Sequence, residues 1–254
     1  MVTHGHRFDD RRDFSTLQAA LEKLDRALWR WSIAATVNQY PIFQVESVPC
    51  TQSGPEVLIT AGVHGDEPAG VETVFSMLET RAFPQPARYL IWPCLNPYGF
   101  MHDQRENDAG TDLNRILPNP AGTAMDIFQR TIAGRRFHIC LDLHEDWEAQ
   151  GFYMYEGKSD TQWHGPGILE RVSQTGAIDT ETDESDIPLF PGLLQVDPAW
   201  GGRGLASFLL AGHADHVMIF ETPTAWPLEQ RVTALRVATI SALEHYRQNK
   251  SMVE

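Results

Sequence analysis

The sequence predicts an α/β protein, an open sheet of strands covered by helices on both faces. Three observations carry this. Short apolar runs, "EVLITAGV", "RYLIWPCL", "FHICLDLH" and "HVMIFET", are separated by stretches of helical periodicity. Several of those runs are apolar without alternation, which suits strands buried on both faces. The chain has 254 residues, 42% of them hydrophobic and 21% charged, enough for one large core and far from a disordered composition.

Each element follows from its local pattern. Phe14, Leu17, Leu21, Leu24, Leu28 and Trp31 recur every three or four positions and predict an amphipathic helix. "IFQVESV" alternates as a strand, and "EVLITAGV" reads as a buried one. Pro68 can open a helix, because a first-turn proline loses no needed hydrogen bond. Val71, Val74, Phe75 and Leu78 form that helix's apolar stripe. The last helix opens near Pro227 and packs through Val232, Leu235, Thr239, Leu243 and Tyr246. No repeat or low-complexity segment marks a boundary, so residues 1–254 are expected to form a single domain.

Composition excludes several function classes. No apolar run approaches the roughly 20 residues of a membrane helix. The N-terminal "MVTHGHRFDDRRD" lacks the apolar core of a secretory signal, and a cytoplasmic protein is expected. Cys50, Cys94 and Cys140 are odd in number and widely spaced, which suits buried hydrophobes better than a disulfide framework or a cysteine zinc site. The formal charge of −14 argues against nucleic acid and anionic membrane as partners, since both need a basic face. Oligomeric state leaves no trace in the sequence.

In an open α/β sheet, ligands bind beyond the carboxyl ends of the strands. Four polar clusters fall there: His64 with Glu67 in "HGDE", the long "LNPYGFMHDQRENDAGTDLNR", His144 in "DLHED", and Glu221 in "FETPT". Two histidines and a glutamate suit a catalytic zinc, which takes three protein ligands and keeps a fourth position open. In "FHICLDLH", Phe137, Ile139, Leu141 and Leu143 point one way and His138, Cys140, Asp142 and His144 the other, so His144 at the strand end can lean into the crevice. Asp142 reads as a carboxylate bonding backbone there. His213 and His216, in "HADH", read as structural or solvated; His4 and His6 lie in an expected frayed terminus; His102 has no firm role.

Taken together, "HGDE", "NPYG", "RENDAGTDLNR", "DLH" and "ETP" resemble the zinc carboxypeptidase family, near its succinylglutamate desuccinylase/aspartoacylase branch. The resemblance implies a three-layer α/β/α domain around a mixed, mostly parallel sheet of about eight strands. It implies one zinc per chain, held by His64, Glu67 and His144, with Asp112 orienting the first histidine. It implies that Glu221 is the general base, that Arg105 polarises the scissile carbonyl, and that Asn114 and Arg115 grip a substrate carboxylate. The family's loop tyrosine has no counterpart before Glu221; Trp200 and Arg203, in "DPAWGGRG", form the candidate substrate loop instead. Only 33 residues follow Glu221, so no added C-terminal β domain is expected. The implied activity is hydrolysis of an amide next to a free carboxylate, as a metallocarboxypeptidase on small peptides. The alternative is an N-acyl-amino-acid deacylase of the desuccinylase/aspartoacylase type. A binding module that kept the fold is disfavoured, because ligands, base and both arginines are all present.

Overall fold

The computed structural model describes residues 13–48, 54–158, 162–197, 200 and 204–251. His4, His6, Cys50 and Arg203 lie outside these described residues. In chain order the elements are α1 (Phe14–Glu22), β1 (Trp29–Val37), β2 (Tyr40–Ser47), β3 (Glu56–Ala61), α2 (Pro68–Glu79), β4 (Arg88–Trp92), α3 (Pro97–His102) and a 3-10 turn at Leu113–Arg115. There follow α4 (Ala124–Ile132), β5 (Ile139–Asp146), β6 (Tyr153–Lys158), α5 (Gly165–Val172), β7 (Pro188–Phe190), β8 (Leu193–Gln195), α6 (Leu205–Gly212), β9 (His216–Pro223) and α7 (Leu228–Ser251).

The strands form one mixed sheet in the order β1-β2-β4-β3-β5-β9-β6-β8-β7. Its centre, β4-β3-β5-β9, is parallel, and antiparallel strands flank it on both sides. Nine strands stand where about eight were expected; β7 and β8 are three residues each. Side chains alternate across the sheet. Val57, Ile59, Ile139, Leu141, Leu143, Met218 and Phe220 pack under α1, α2, α5 and α7. Leu58, Cys140, Val217 and Ile219 pack under α4 and α6 on the other face. This is the expected three-layer arrangement. Among the described residues no helix is long and apolar enough to cross a membrane. Cys94 and Cys140 are buried in the two core layers and form no disulfide.

Two local expectations need correcting. The first helix stops at Glu22 instead of reaching Trp31. The Asp25 carboxylate accepts from the Ala27 N–H, and its carbonyl accepts from Leu28 and Trp29, so the chain turns and leaves as β1. Leu28 is 40% exposed, so its helical spacing was coincidental. β1 and β2 then close a hairpin at Asn38-Gln39, both at positive φ, which matches strand twist across a two-residue loop. The second correction concerns Phe137. It precedes β5, touches Ala214 through an isolated bridge, and packs with Cys140 rather than with Ile139. The period-2 alternation begins only where the strand does.

Candidate metal centre and active site

β3 ends at Ala61, and the chain turns at once through His64 and Glu67 into α2, with Pro68 in its first turn as expected. That turn is packed backbone on backbone. A Cβ on Gly65 would lie 1.9 Å from the Gly99 carbonyl carbon, so only glycine fits there. "NPYG" builds the opposing surface: Asn96 caps α3 by accepting from the Gly99 N–H (3.0 Å), while its Nδ2 donates to the Arg105 carbonyl (3.0 Å). One asparagine thus ties α3 to the segment that carries Arg105.

His144 sits near the end of β5 with Asp142 on the same face, as the alternation predicted. Parallel pairing puts His144 directly beside Glu221 on β9, both side chains on one face of the sheet. Glu67 lies between the histidines. Its Oε1 is 2.5 Å from His64 Nδ1 and its Oε2 is 2.8 Å from His144 Nδ1. The opposite nitrogens face other carboxylates: His144 Nε2 is 3.0 Å from Asp142 Oδ2, and His64 Nε2 is 3.3 Å from Asp112 Oδ1, an ion-pair contact rather than a well-directed hydrogen bond.

This donor set fits a zinc ion. A carboxylate beside each outer Nε2 favours a proton there, the tautomer that turns the Nδ1 lone pair inward. With both imidazoles neutral, two Nδ1 lone pairs and a carboxylate would converge at hydrogen-bond distance with no proton between them. A cation relieves that repulsion. Among the described residues the ligand atoms of His64, Glu67 and His144 lie within 4.8 Å of one another, and all three residues are buried.

The electrostatics follow from these contacts. Burial pushes Glu67 up, but the charge and hydrogen bond of His144, with those of His64, hold its carboxyl down at about 2. Burial opposes charge on His144 too, yet Asp142 and Glu67 hold the imidazole well above its usual range. Asp112 is likewise pushed up by burial and more strongly down by its contacts with His64, Arg105 and the Asn114 N–H. Glu221 differs. Burial pushes its carboxyl well above the usual range; His144 pulls it down, and the charges on Glu67, Asp146 and Asp142 push it up.

These side chains line a cleft of about 920 Å³. Arg105 enters it with Nε 3.1 Å from Asp112 Oδ2 and Nη1 3.6 Å from Glu67 Oε1. Asn114 is placed doubly: Asp112 accepts from its N–H, and its own Oδ1 accepts from the Leu205 N–H (2.7 Å) at the start of α6. Arg115 is exposed beside it, donating Nη1 to the Asn114 carbonyl. Trp200 lies on the cleft wall, its ring 5.7 Å from that of Tyr155.

Asp142 corrects the sequence reading. It bonds the Thr60 hydroxyl (2.7 Å) and His144, not backbone, and mirrors on the second histidine what Asp112 does on the first. The signal was available, since residues i and i+2 on a strand share a face. Tyr153, Tyr155 and Trp147 were missed altogether. Tyr153 is paired opposite Glu221 and donates to Asp146 Oδ2 (2.8 Å); Trp147 is 76% exposed at the cleft. The tyrosine pair of "YMYEGK" alternates onto one strand face, but nothing local says which strand neighbours β9. His102 stands apart from the cleft, against Tyr40 and Tyr98.

A second group of donors, Glu156, His164 and His216, meets at the other end of β9. Glu156 accepts from the N–H groups of His164 (3.0 Å) and Gly165 (2.8 Å) at the start of α5 and from His216 Nε2 (2.7 Å), with Lys158 Nζ 3.8 Å away. Its lone pairs are spent on a helix terminus and its charge is balanced by Lys158. Glu156 thus ties the start of α5 to the start of β9. His213 lies against the Arg135 carbonyl and Phe208.

Residues 53–177 match the succinylglutamate desuccinylase/aspartoacylase catalytic domain, a span that holds every residue named above from His64 to Tyr155. The fold matches a candidate metallopeptidase of Shewanella denitrificans with TM-score 0.77 at 23% identity, covering 92% of this chain and 90% of that one. The fold is carboxypeptidase-like, and the matched span is similar to the desuccinylase/aspartoacylase catalytic domain. A metallo-carboxypeptidase from Pseudomonas aeruginosa shares this carboxypeptidase-like fold at TM-score 0.66 and 17% identity, over 91% of this chain and 67% of that one. Murein peptide amidase A of Escherichia coli (strain K12) is 43% identical over 61 residues. That match spans 24% of this chain and 25% of the relative.

Proposed function

We propose that this carboxypeptidase-like chain is a zinc-dependent hydrolase that cleaves an amide bond next to a free carboxylate, acting on small peptides. The observation that carries the reading is the convergence of His64 Nδ1, His144 Nδ1 and both Glu67 oxygens in a cleft where Glu221 neighbours His144. His64, Glu67 and His144 would hold one zinc, which supplies Lewis acidity for a carbonyl and brings the pKa of water to about 7. Glu221 takes the proton of the attacking water and passes it to the leaving amine; its partly desolvated position raises its proton affinity toward that task. Arg105, anchored on Asp112, directs its guanidinium into the cleft, where charge on the carbonyl oxygen would develop. Asn114 Nδ2 and the Arg115 fork hold the substrate carboxylate, a match to its two oxygens. Trp200, on the cleft wall, is the proposed substrate-loop residue.

The likeness to murein peptide amidase A makes a murein peptide the first substrate to try. A second reading, an N-acyl-amino-acid deacylase, is favoured by the match of residues 53–177 to the desuccinylase/aspartoacylase domain. One experiment separates them. Zinc-loaded protein is incubated with murein peptides, peptides with free or amidated C-termini, and N-acyl amino acids, and the products are identified by mass spectrometry. Cleavage only next to free carboxylates, abolished by a chelator and restored by zinc, is the expected result. Release of succinate, acetate or another acyl group assigns the chain to the deacylases. No product from zinc-loaded protein refutes both.

A further inference from the structure

Glu145 is buried next to His144, beside the cleft. It follows His144 on β5, so its side chain leaves the sheet on the opposite face, toward α2 and α7. There its Oε1 accepts from the Ala69 N–H (2.5 Å) in the first turn of α2, and its Oε2 accepts from Arg231 Nη1 in the first turn of α7. Its own backbone N–H points back and donates to Glu67 Oε2 (3.1 Å).

Helix α2 has a particular need for this. Its N-cap residue is Glu67, whose side chain makes no capping bond because the carboxylate faces His64 and His144. Pro68 has no N–H to offer. The Ala69 N–H is therefore a first-turn donor without its usual partner, and Glu145 supplies the acceptor. The close approach that allows it is visible at Gly70, where a Cβ would lie 2.8 Å from the Leu143 carbonyl oxygen. The Glu145 side chain is fully buried and that of Arg231 only 14% exposed. Desolvating such a pair costs about as much as its attraction returns, so stability alone is a weak reason for it.

We infer that Glu145, fixed by Arg231, is a positioning residue for the metal ligand Glu67, holding its helix turn through Ala69 and its carboxylate through a backbone N–H. Helix α7 is thereby tied to the metal centre without touching it. This rests on the zinc-site reading of His64, Glu67 and His144.

The test is a chelator-competition titration of zinc on the full chain, run beside thermal unfolding of the metal-free protein. Glu145→Gln, Arg231→Met and Arg231→Lys are compared with the natural chain, with His144→Ala as the ligand control. Glu145→Gln and Arg231→Met are expected to weaken zinc binding about tenfold or more, and Arg231→Lys to recover most of the loss. Zinc affinities within about twofold of the natural chain, with only metal-free stability lowered, would overturn the proposal and leave a plain structural ion pair. If Glu145→Gln does not fold, the two Arg231 variants decide by the same criterion. A natural chain that binds no zinc removes the site reading itself; zinc bound by the natural chain and lost in His144→Ala leaves only the clamp on trial.

Discussion

Asp142 and Asp112 each face the outer nitrogen of one histidine, and that symmetry makes the site testable residue by residue. Asp142→Asn keeps the shape but removes the charge that holds the His144 proton outward, and zinc affinity should fall about 10- to 100-fold. Chelator competition measures it; an unchanged affinity would return Asp142 to a purely structural role. Glu221→Gln should leave zinc content at the natural level while kcat falls about 10²- to 10⁴-fold. Arg105→Ala should lower turnover about 10²- to 10³-fold with little loss of metal. Turnover of Arg105→Ala equal to that of the natural chain would take the guanidinium out of the mechanism. "HGDE", "DLH" and "ETP" made the grouping of His64, Glu67, His144 and Glu221 legible because those residues lie at strand ends. Asp142 was misread because a single aspartate on a strand does not declare its partner.

Elements matter because they bring distant residues to one place. The Asn114 side chain accepts from the Leu205 N–H at the start of α6, across 91 residues of sequence. Asn114→Ala should therefore cost about 1 kcal/mol of stability, as loss of a cap does. Asn114→Asp keeps an acceptor for that N–H but replaces the amide donor with a negative charge. It should unfold like the natural chain while KM for a carboxylate substrate rises. Equal KM values for the two proteins would separate Asn114 from substrate binding. The turn that carries His64 is fixed by contact with α3, and Gly65→Ala forces a Cβ into the Gly99 backbone. Such overpacking should destabilise by about 1–3 kcal/mol or more, read from denaturant melts.

For the whole molecule, the far end of the sheet sets an acid limit on stability. Burial and the charges of His216 and Lys158 hold His164 down at about 4, from an ordinary 6.5; Glu156 acts in the other direction, and His245 adds to the lowering. Below pH 6.5 the unfolded chain takes up a proton that the folded chain refuses. The stability contributed by neutral His164 is thus complete above pH 6.5 and is lost as pH falls toward 4. Melting temperature should decline across that window, and less steeply in His164→Asn. Identical pH profiles for the two proteins would exclude His164 as the cause.

The sequence by itself determined the α/β class, the central strands, the opening of α2 at Pro68 and which polar residues gather at the strand ends. Those signals are local: an apolar run, a first-turn proline, a polar cluster at a strand's end. Only the tertiary structure decided that the first helix stops at Glu22, that β6 puts Tyr153 opposite Glu221, and that Glu145 joins α2 to α7. Each of these depends on which segments lie side by side. Strand order and helix packing are set by burial summed over the whole core, and no window of sequence carries that sum.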